Sequence, residues 1–143
     1  MKTLFKTVMA KLQTDMPELR YISEDWGQLD YYNDKPPVNW PCALISIASG
    51  QDTVKTKDLR NRSTTVQIRL ADSPSVIATS GAPDTHVNTA LLILDLVDKV
   101  GDSLHDLEVT GYKNELTQAS FNKVIREDGV REYSIFFKID RLK

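Results

Sequence analysis

Side chains that could carry out chemistry are few in this sequence and lie far apart. The histidines, His86 and His105, lie near opposite ends of one apolar segment, whereas a zinc site favours histidines at i and i+4 with a third ligand from elsewhere. The single cysteine, Cys42, begins an apolar run without a nearby histidine, and buried cysteine is usually packing material. Adjacent Glu24 and Asp25 in a polar segment are typical of solvated carboxylates. We therefore expect no catalytic residue, no cofactor and no metal site.

Sites for anions and nucleic acids are equally incomplete. The segment SGAPDT (residues 80–85) precedes a predicted helix, but it lacks the second glycine and the lysine of a phosphate-binding loop. The formal net charge of −2 argues against nucleic acid as the main partner. No run approaches the ~20 apolar residues of a membrane span, and one cysteine suits a reducing compartment. We expect no membrane partner, no sequence-specific nucleic acid and synthesis in a cytoplasm.

The first third of the chain predicts one helix and an irregular lead-in to a strand. The whole chain has 143 residues, a length that suits one domain, residues 1–143. Apolar residues from Leu4 to Met16 recur at three- and four-residue steps, which predicts a helix that ends at Pro17. Residues 20–23 are compatible with a short strand. Proline has no N–H to donate to a sheet, so pairing of the next strand must begin after Pro41.

Two strands and a second helix are predicted in the middle of the chain. CALISIAS (42–49) is continuously apolar or small, and TTVQIRLAD (64–72) alternates. The polar segment between them, residues 50–63, is too long for a tight hairpin turn and predicts a charged loop. The apolar arc of residues 86–104 spans roughly 220°, wider than the ~100° that one supporting surface requires. This helix therefore needs cover on two sides, and one cover could be another chain.

The end of the chain predicts β-structure. LEVTGYK (107–113) and ASFNKVIRE (119–127) are candidate strands, and Asp128-Gly129 is typical of a hairpin tip. REYSIFFKID (131–140) alternates, although Phe136 interrupts its polar face. The order of elements predicts an α+β fold: an antiparallel sheet with two helices packed on one face and a closing β-hairpin.

The alternation also predicts which side chains meet. The helix-covered face of the sheet should consist of Val66, Ile68, Leu70, Tyr133, Ile135, Phe137 and Ile139. These should pack on one stripe from each helix: Phe5, Val8 and Leu12, and Leu94, Val97 and Leu104. The opposite face of the sheet is polar by pattern, apart from Phe136.

The whole order of elements resembles the phage tail terminator, or tail completion, family. The resemblance rests on an amphipathic first helix, the proline-marked approach YYNDKPPVNWPCALISI (31–47), the polar loop GQDTVKTKDLRNRS, the strand TTVQIRLAD, a helix rich in Leu and Val, and the closing GVREYSIFFKIDRL. It covers nearly the full chain by pattern and order, without an invariant motif. The long acidic segment before Trp40 departs from that family's compact form.

The resemblance implies a structural virion protein and no enzyme. Such a protein forms a ring, typically a hexamer, on the last ring of the tail tube, stops polymerisation and joins the tail to the head connector. Its partners would be itself, the tail tube protein and the connector, and it would reside in the virion tail or neck after synthesis in the bacterial cytoplasm. Two alternatives remain: a head-completion or stopper neck protein, and a small cellular α+β domain that binds a ligand or regulates an enzyme.

A ring would need contact surfaces, and three groups of residues suggest them. Aromatic side chains in the proline-rich segment offer stiff contact area, although they could equally cover the open end of the domain's own core. The basic loop could meet Glu24, Asp25, Asp30 and Asp34 of the next subunit. The predicted interface residues are Tyr31, Tyr32, Trp40, Lys55, Lys57, Arg60, Arg62, Leu92, Leu96 and Phe136.

Overall fold

The computed structural model describes residues 1–56, 59–74 and 77–141, except for the side chains of residues 52–61. The helices of this part are α1 (Lys2–Asp15), α2 (Asp84–Ala90) and α3 (Leu92–Leu104). Its strands are β1 (Tyr21–Glu24), β2 (Cys42–Thr56), β3 (Leu59–Asp72), β4 (Thr117–Val124) and β5 (Arg131–Arg141).

The strands form one sheet in the order β1-β2-β3-β5-β4. The pairs β2–β3, β3–β5 and β4–β5 are antiparallel. The predicted fold class, α+β with helices on one face and a closing hairpin, is confirmed. The prediction of a wholly antiparallel sheet is wrong at one pair: β1 runs parallel to β2, which makes the sheet mixed. Parallel neighbours cannot be joined by a tight turn, so residues 25–41 must cross back over the sheet between them.

The helix-covered face holds the main core. On β3 and β5, Val66 lies opposite Phe137 and Ile68 lies opposite Ile135, and all four are fully buried. They pack in one cluster with residues of α1 and α3, and half-buried Tyr133 lies against it. The predicted register of both strands is therefore confirmed. It follows from the period of two, which sends alternate side chains to one face.

The predicted second helix is interrupted at Leu91, where α2 ends and α3 begins. Leu94 was predicted to be in the core, but it is 42% exposed, and that prediction is wrong. At ~100° per residue, Leu94 lies about 90° from the centre of the buried stripe of α3. That stripe consists of Ile93, Leu96, Val97, Val100, Gly101 and Leu104.

Residues 50–56 and 59–63 lie in β2 and β3, which pair with each other, so the prediction of a loop was wrong for these residues. β2 continues to Thr56 and β3 starts at Leu59, with Val54 opposite Arg60. The prediction failed because nearly all residues of this segment are polar in sequence, and such a strand shows no hydrophobic alternation. Lys57 and Asp58 lie outside the described residues.

The outer part of this hairpin extends past its neighbouring strand. β5 ends at Arg141, which pairs with Arg62 of β3. Past Arg62 and back to Leu59, the described pairs of β3 are with β2 alone. We call residues 52–62 the arm. About four residue pairs at ~3.3 Å each give it a reach of roughly 13 Å.

The segment LEVTGYK was predicted to be a strand, and this prediction is wrong. It lies in an irregular connection between α3 and β4 that makes only isolated bridges, Leu107 with Leu116 and Tyr112 with Arg141. Positive φ angles at Asp106 (64°) and Gly111 (88°) turn the backbone away from an extended path. The closing hairpin is confirmed: β4 pairs with β5, and Gly129 takes a φ of 79° in the connection.

Candidate functional site

Residues 25–41, which we call the strap, lie across the sheet face opposite the helices. That face was predicted to be polar, but Cys42, Leu44 and Ala71 form an apolar patch on it. The strap covers this patch with Leu29, and half-buried Trp40 packs against the same group. The result is a second, smaller core, and the polar prediction is corrected for this end of the sheet. Its fully buried or nearly buried members are Leu29, Cys42, Leu44, Ala71 and Val130.

Arg69 of β3 holds the strap to the sheet. Its guanidinium donates to Asp25 at 3.1 Å and to both carboxylate oxygens of Asp30 at 2.9 and 3.0 Å. On the neighbouring strand it donates to Glu132 from Nε (3.1 Å) and Nη2 (2.8 Å). The Arg69 side chain is 12% exposed and that of Glu132 only 2%. Planar, bidentate pairs of this kind combine strength with fixed geometry.

Arg126 adds a second guanidinium to the same group. It donates to Glu132 at 2.7 Å, to Asp128 at 2.7 Å and to the backbone carbonyl of Leu29. The Tyr32 hydroxyl donates to Asp128. We call the two arginines with Asp25, Asp30, Asp128 and Glu132 the arginine–carboxylate cluster. It ties the strap to β3, β5 and the β4–β5 connection.

The cluster makes the folding stability of the protein depend on pH in the acidic range. The Arg126 hydrogen bond holds the pKa of Asp128 well below its ordinary value of 3.8, and the Arg69 hydrogen bond lowers that of Asp30. A carboxyl group whose pKa is lowered by folding stabilises the protein above its unfolded pKa, and this stabilisation is lost as pH falls through the folded value.

We therefore expect the free energy of unfolding to fall steeply below about pH 4. Urea unfolding from pH 6 to pH 2 would measure it. Asp128→Asn should flatten the acid limb, because residue 128 no longer titrates. Asp34→Asn is the control, since Asp34 is exposed on the same strap, and it should leave the limb unchanged. Equal curves for Asp128→Asn and the wild type would contradict the assignment.

The predicted aromatic interface residues do not form one patch. Tyr31 is 84% exposed. Tyr32 is half-buried and donates a hydrogen bond to Asp128, and Trp40 packs on the second core. Trp26 was missed and is 61% exposed. A tryptophan followed by a turn glycine in a polar segment was the available signal. The segment thus both covers the chain's own core and presents Trp26 and Tyr31 to solvent.

The predicted apolar interface residues have different positions. Leu92 is 42% exposed. Phe136 is half-buried on the face away from the helices, opposite Gln67 of β3 and Ser120 of β4. Leu96 is fully buried in the main core, so it has no surface to offer while the domain keeps this fold. Phe121 (56% exposed) and Ile125 (91% exposed) were missed.

The basic residues predicted for the interface all belong to the arm. The backbones of Lys55 and Arg60 lie in its strands, Lys57 lies outside the described residues, and Arg62 is half-buried at its base. Their predicted partners need correction. Asp25 and Asp30 bind Arg69 of their own chain, which leaves Glu24 and Asp34 as the acids of that set that make no ion pair with another described residue.

The residues first considered for chemistry are dispersed. His86 is exposed on α2, while His105 Nδ1 accepts a hydrogen bond from the Gln118 backbone N–H at 3.2 Å. Burial raises the pKa of the Cys42 thiol to about 12, so this cysteine stays a neutral packing group at ordinary pH. Across the described ranges, no three His, Cys, Asp or Glu side chains are grouped as a metal site would need. None of the described helices is long and apolar enough to cross a membrane.

Comparisons with known proteins give a likeness of fold and no family. No family model matches the chain, and no curated protein matches it. Among solved structures, it is similar to a chain of the "Virion of native gene transfer agent (GTA) particle". The two share 12% sequence identity and a TM-score of 0.53, over 98% of this chain and 92% of that one. At this identity the likeness shows a shared fold along nearly the whole length of both chains.

Proposed function

We propose that this chain is a non-enzymatic structural protein of a phage-like virion. It forms a ring at the end of the tail tube, stops tube polymerisation and joins the tail to the head connector. The observation that carries the proposal is the fold shared over 98% of the chain with a virion protein chain. Within that class, the order of elements and the proline-marked approach to β2 favour a tail terminator.

Exposed apolar side chains support an assembly role. Tyr31 and Trp26 of the strap, and Leu92 and Leu94 of α3, are 42–84% exposed. Large exposed aromatic and aliphatic groups are typical of surfaces that become buried in complexes. In the proposed ring, Tyr31, Tyr32, Trp40, Leu92 and Phe136 lie at or beside subunit contacts. The arm reaches the neighbouring subunit or the tube, and residues 1–143 act as one domain.

The proposed partners are further copies of this chain, in a ring of six, the tail tube protein and the head connector. The protein would be made in the bacterial cytoplasm and reside in the tail or neck of the virion. A head-completion or stopper protein of the neck would use the same fold and also form a ring. The two roles differ in the partner: a terminator binds tube ends, whereas a stopper binds the connector.

The test is self-association followed by tube capping. We expect the purified protein to show a concentration-dependent mass above that of the 16.2 kDa monomer in light scattering. When it is added to polymerising tail tube protein of the same virion, we expect shorter tubes with a ring at one end in electron micrographs. Reversing the arm by Lys55→Glu, Lys57→Glu, Arg60→Glu and Arg62→Glu together should weaken association and flatten its salt dependence.

Three results would count against the proposal. A protein that stays monomeric at millimolar concentration, both alone and with tubes, would contradict ring formation. A ring that leaves tubes uncapped but binds connectors would assign the stopper role. Normal assembly and capping by the arm variant at every salt concentration would exclude the arm and leave α3 and the strap aromatics as the contact surfaces.

A further inference from the structure

The outer face of α3 carries apolar and acidic side chains together. Leu94 on this helix is 42% exposed, and Leu91, immediately before its first residue, is 39% exposed. Asp95, Asp98 and Asp102 are also exposed, and their spacing of three and four residues places them in one stripe beside the leucines. Because the opposite side of α3 is packed into the main core, this stripe is the side that points away from the sheet.

The carboxylates of this stripe are not neutralised within the described part of the chain. The side chains of Asp95, Asp98 and Asp102 make no ion pair or hydrogen bond there. The one lysine of the helix, Lys99, is paired with Glu18 at 3.0 Å. Residues 84–108 contain six acidic residues and one lysine, so their formal charge is 1 − 6 = −5. The stripe is therefore a concentrated negative surface with apolar groups in it.

The strap differs from α3 in this respect. Although it is also rich in acids, Asp25 and Asp30 are bound by Arg69, which is itself nearly buried. A carboxylate already held in a bidentate pair gains little from a second cation in solvent. The stripe on α3 is therefore an acidic surface whose carboxylates have no cation bound within the described part of the chain.

We propose that the outer face of α3 receives the arm of a second copy of this chain. By sequence the arm has four basic residues, Lys55, Lys57, Arg60 and Arg62, against two acids, Asp52 and Asp58. It also carries Val54 and Leu59. A basic segment with apolar residues thus matches an acidic stripe with exposed leucines. This inference rests on the proposed ring, since it names the two surfaces that meet there.

The pairing has the symmetry that a ring requires. The arm and the α3 face are different surfaces of one subunit, so the contact between two copies is heterologous. Such contacts repeat from subunit to subunit and close into a ring when the rotation allows it. Complementary charge across the contact would mainly raise the association rate and make it sensitive to salt.

A charge-swap experiment tests the pairing. The α3 variant combines Asp95→Lys, Asp98→Lys and Asp102→Lys; the arm variant combines Lys55→Glu, Lys57→Glu and Arg60→Glu. Each alone should raise the dissociation constant for self-association roughly tenfold or more, because like charges then face each other. Combining both sets should restore association to near the wild-type level. Sedimentation velocity at 50 and 300 mM NaCl provides the measurement.

A matched control carries Glu24→Lys, Asp34→Lys and Glu115→Lys, which changes net charge equally at three other exposed positions. It should associate as the wild type does. Normal association of the α3 variant while the wild type still forms rings would overturn this inference and leave the proposed function intact. Loss of association without recovery in the combined variant would also overturn it, and would assign α3 to a different partner. A wild type that never associates would overturn both proposals. Circular dichroism confirms that each variant is folded.

Discussion

Replacing Arg69 by methionine is expected to lower the free energy of unfolding by about 3–5 kcal/mol. The change leaves the carboxylate of Glu132, 2% exposed, with Arg126 as its remaining partner. It also removes the ion pairs through which Asp25 and Asp30 of the strap are held to β3. Methionine keeps most of the apolar stem of arginine, so the loss reports the uncompensated charge more than a cavity. Urea unfolding, followed by the fluorescence of Trp40 and Trp26, measures it.

Two further variants test whether this loss comes from the buried charge of Glu132. Lys99→Met removes an ion pair on the exposed surface, and it should change stability little, because water screens such pairs. Adding Glu132→Gln to Arg69→Met should recover part of the loss, because no ionised carboxylate then stays buried with too few partners. A small effect of Arg69→Met, comparable to that of Lys99→Met, would show that the strap does not depend on this cluster.

Truncating Phe137 to alanine is expected to cost about 3–5 kcal/mol. Phe137 is fully buried at the centre of the main core, opposite Val66 on β3. The cost combines the lost burial of the ring with the cavity that it leaves, since packed neighbours relax only partly into such a space. Denaturant unfolding of the purified variant gives the value directly.

Phe121→Ala is the matched control, because it removes the same ring at a position on β4 that is 56% exposed. It should have a much smaller effect on stability. If Phe137→Ala were almost silent while Phe136→Ala was costly, the register of β5 would be inverted, since a shift of one residue exchanges the two faces of a strand.

The helix-covered face could be predicted from sequence because its signal is local. Val66, Ile68 and Leu70 alternate with polar residues along one strand, and α1 repeats its apolar residues with a helical period. Both periods depend only on backbone geometry. The face that each residue occupies can therefore be predicted from the residues next to it in sequence. The same argument failed at Leu94, which lies at the margin of the apolar arc of α3. How much of such an arc is buried depends on how much of the helix the other elements cover, and the local sequence does not show this.

The strap and its cluster could not be predicted, because their partners are distant in sequence. Arg69 bonds to residues 39, 44 and 63 positions away, and no local pattern marks such a group. Glu132 reads as a surface residue on the polar side of β5, yet it is 1% exposed as a residue. The arm was missed for a different reason: nearly all of its residues are polar in sequence, so hydrophobic periodicity gives no signal.

The cluster also fixes an order of events during synthesis. The strap leaves the ribosome about 90 residues before Arg126 and Glu132, which at 5–20 residues per second is a delay of roughly 5–20 s. Throughout that delay, the strap lacks the guanidinium and the carboxylate that complete its attachment to the sheet. The apolar patch beneath it therefore closes last, when the chain is almost finished. A nascent chain stalled before residue 126 would be the form most exposed to chaperones and proteases of the cell.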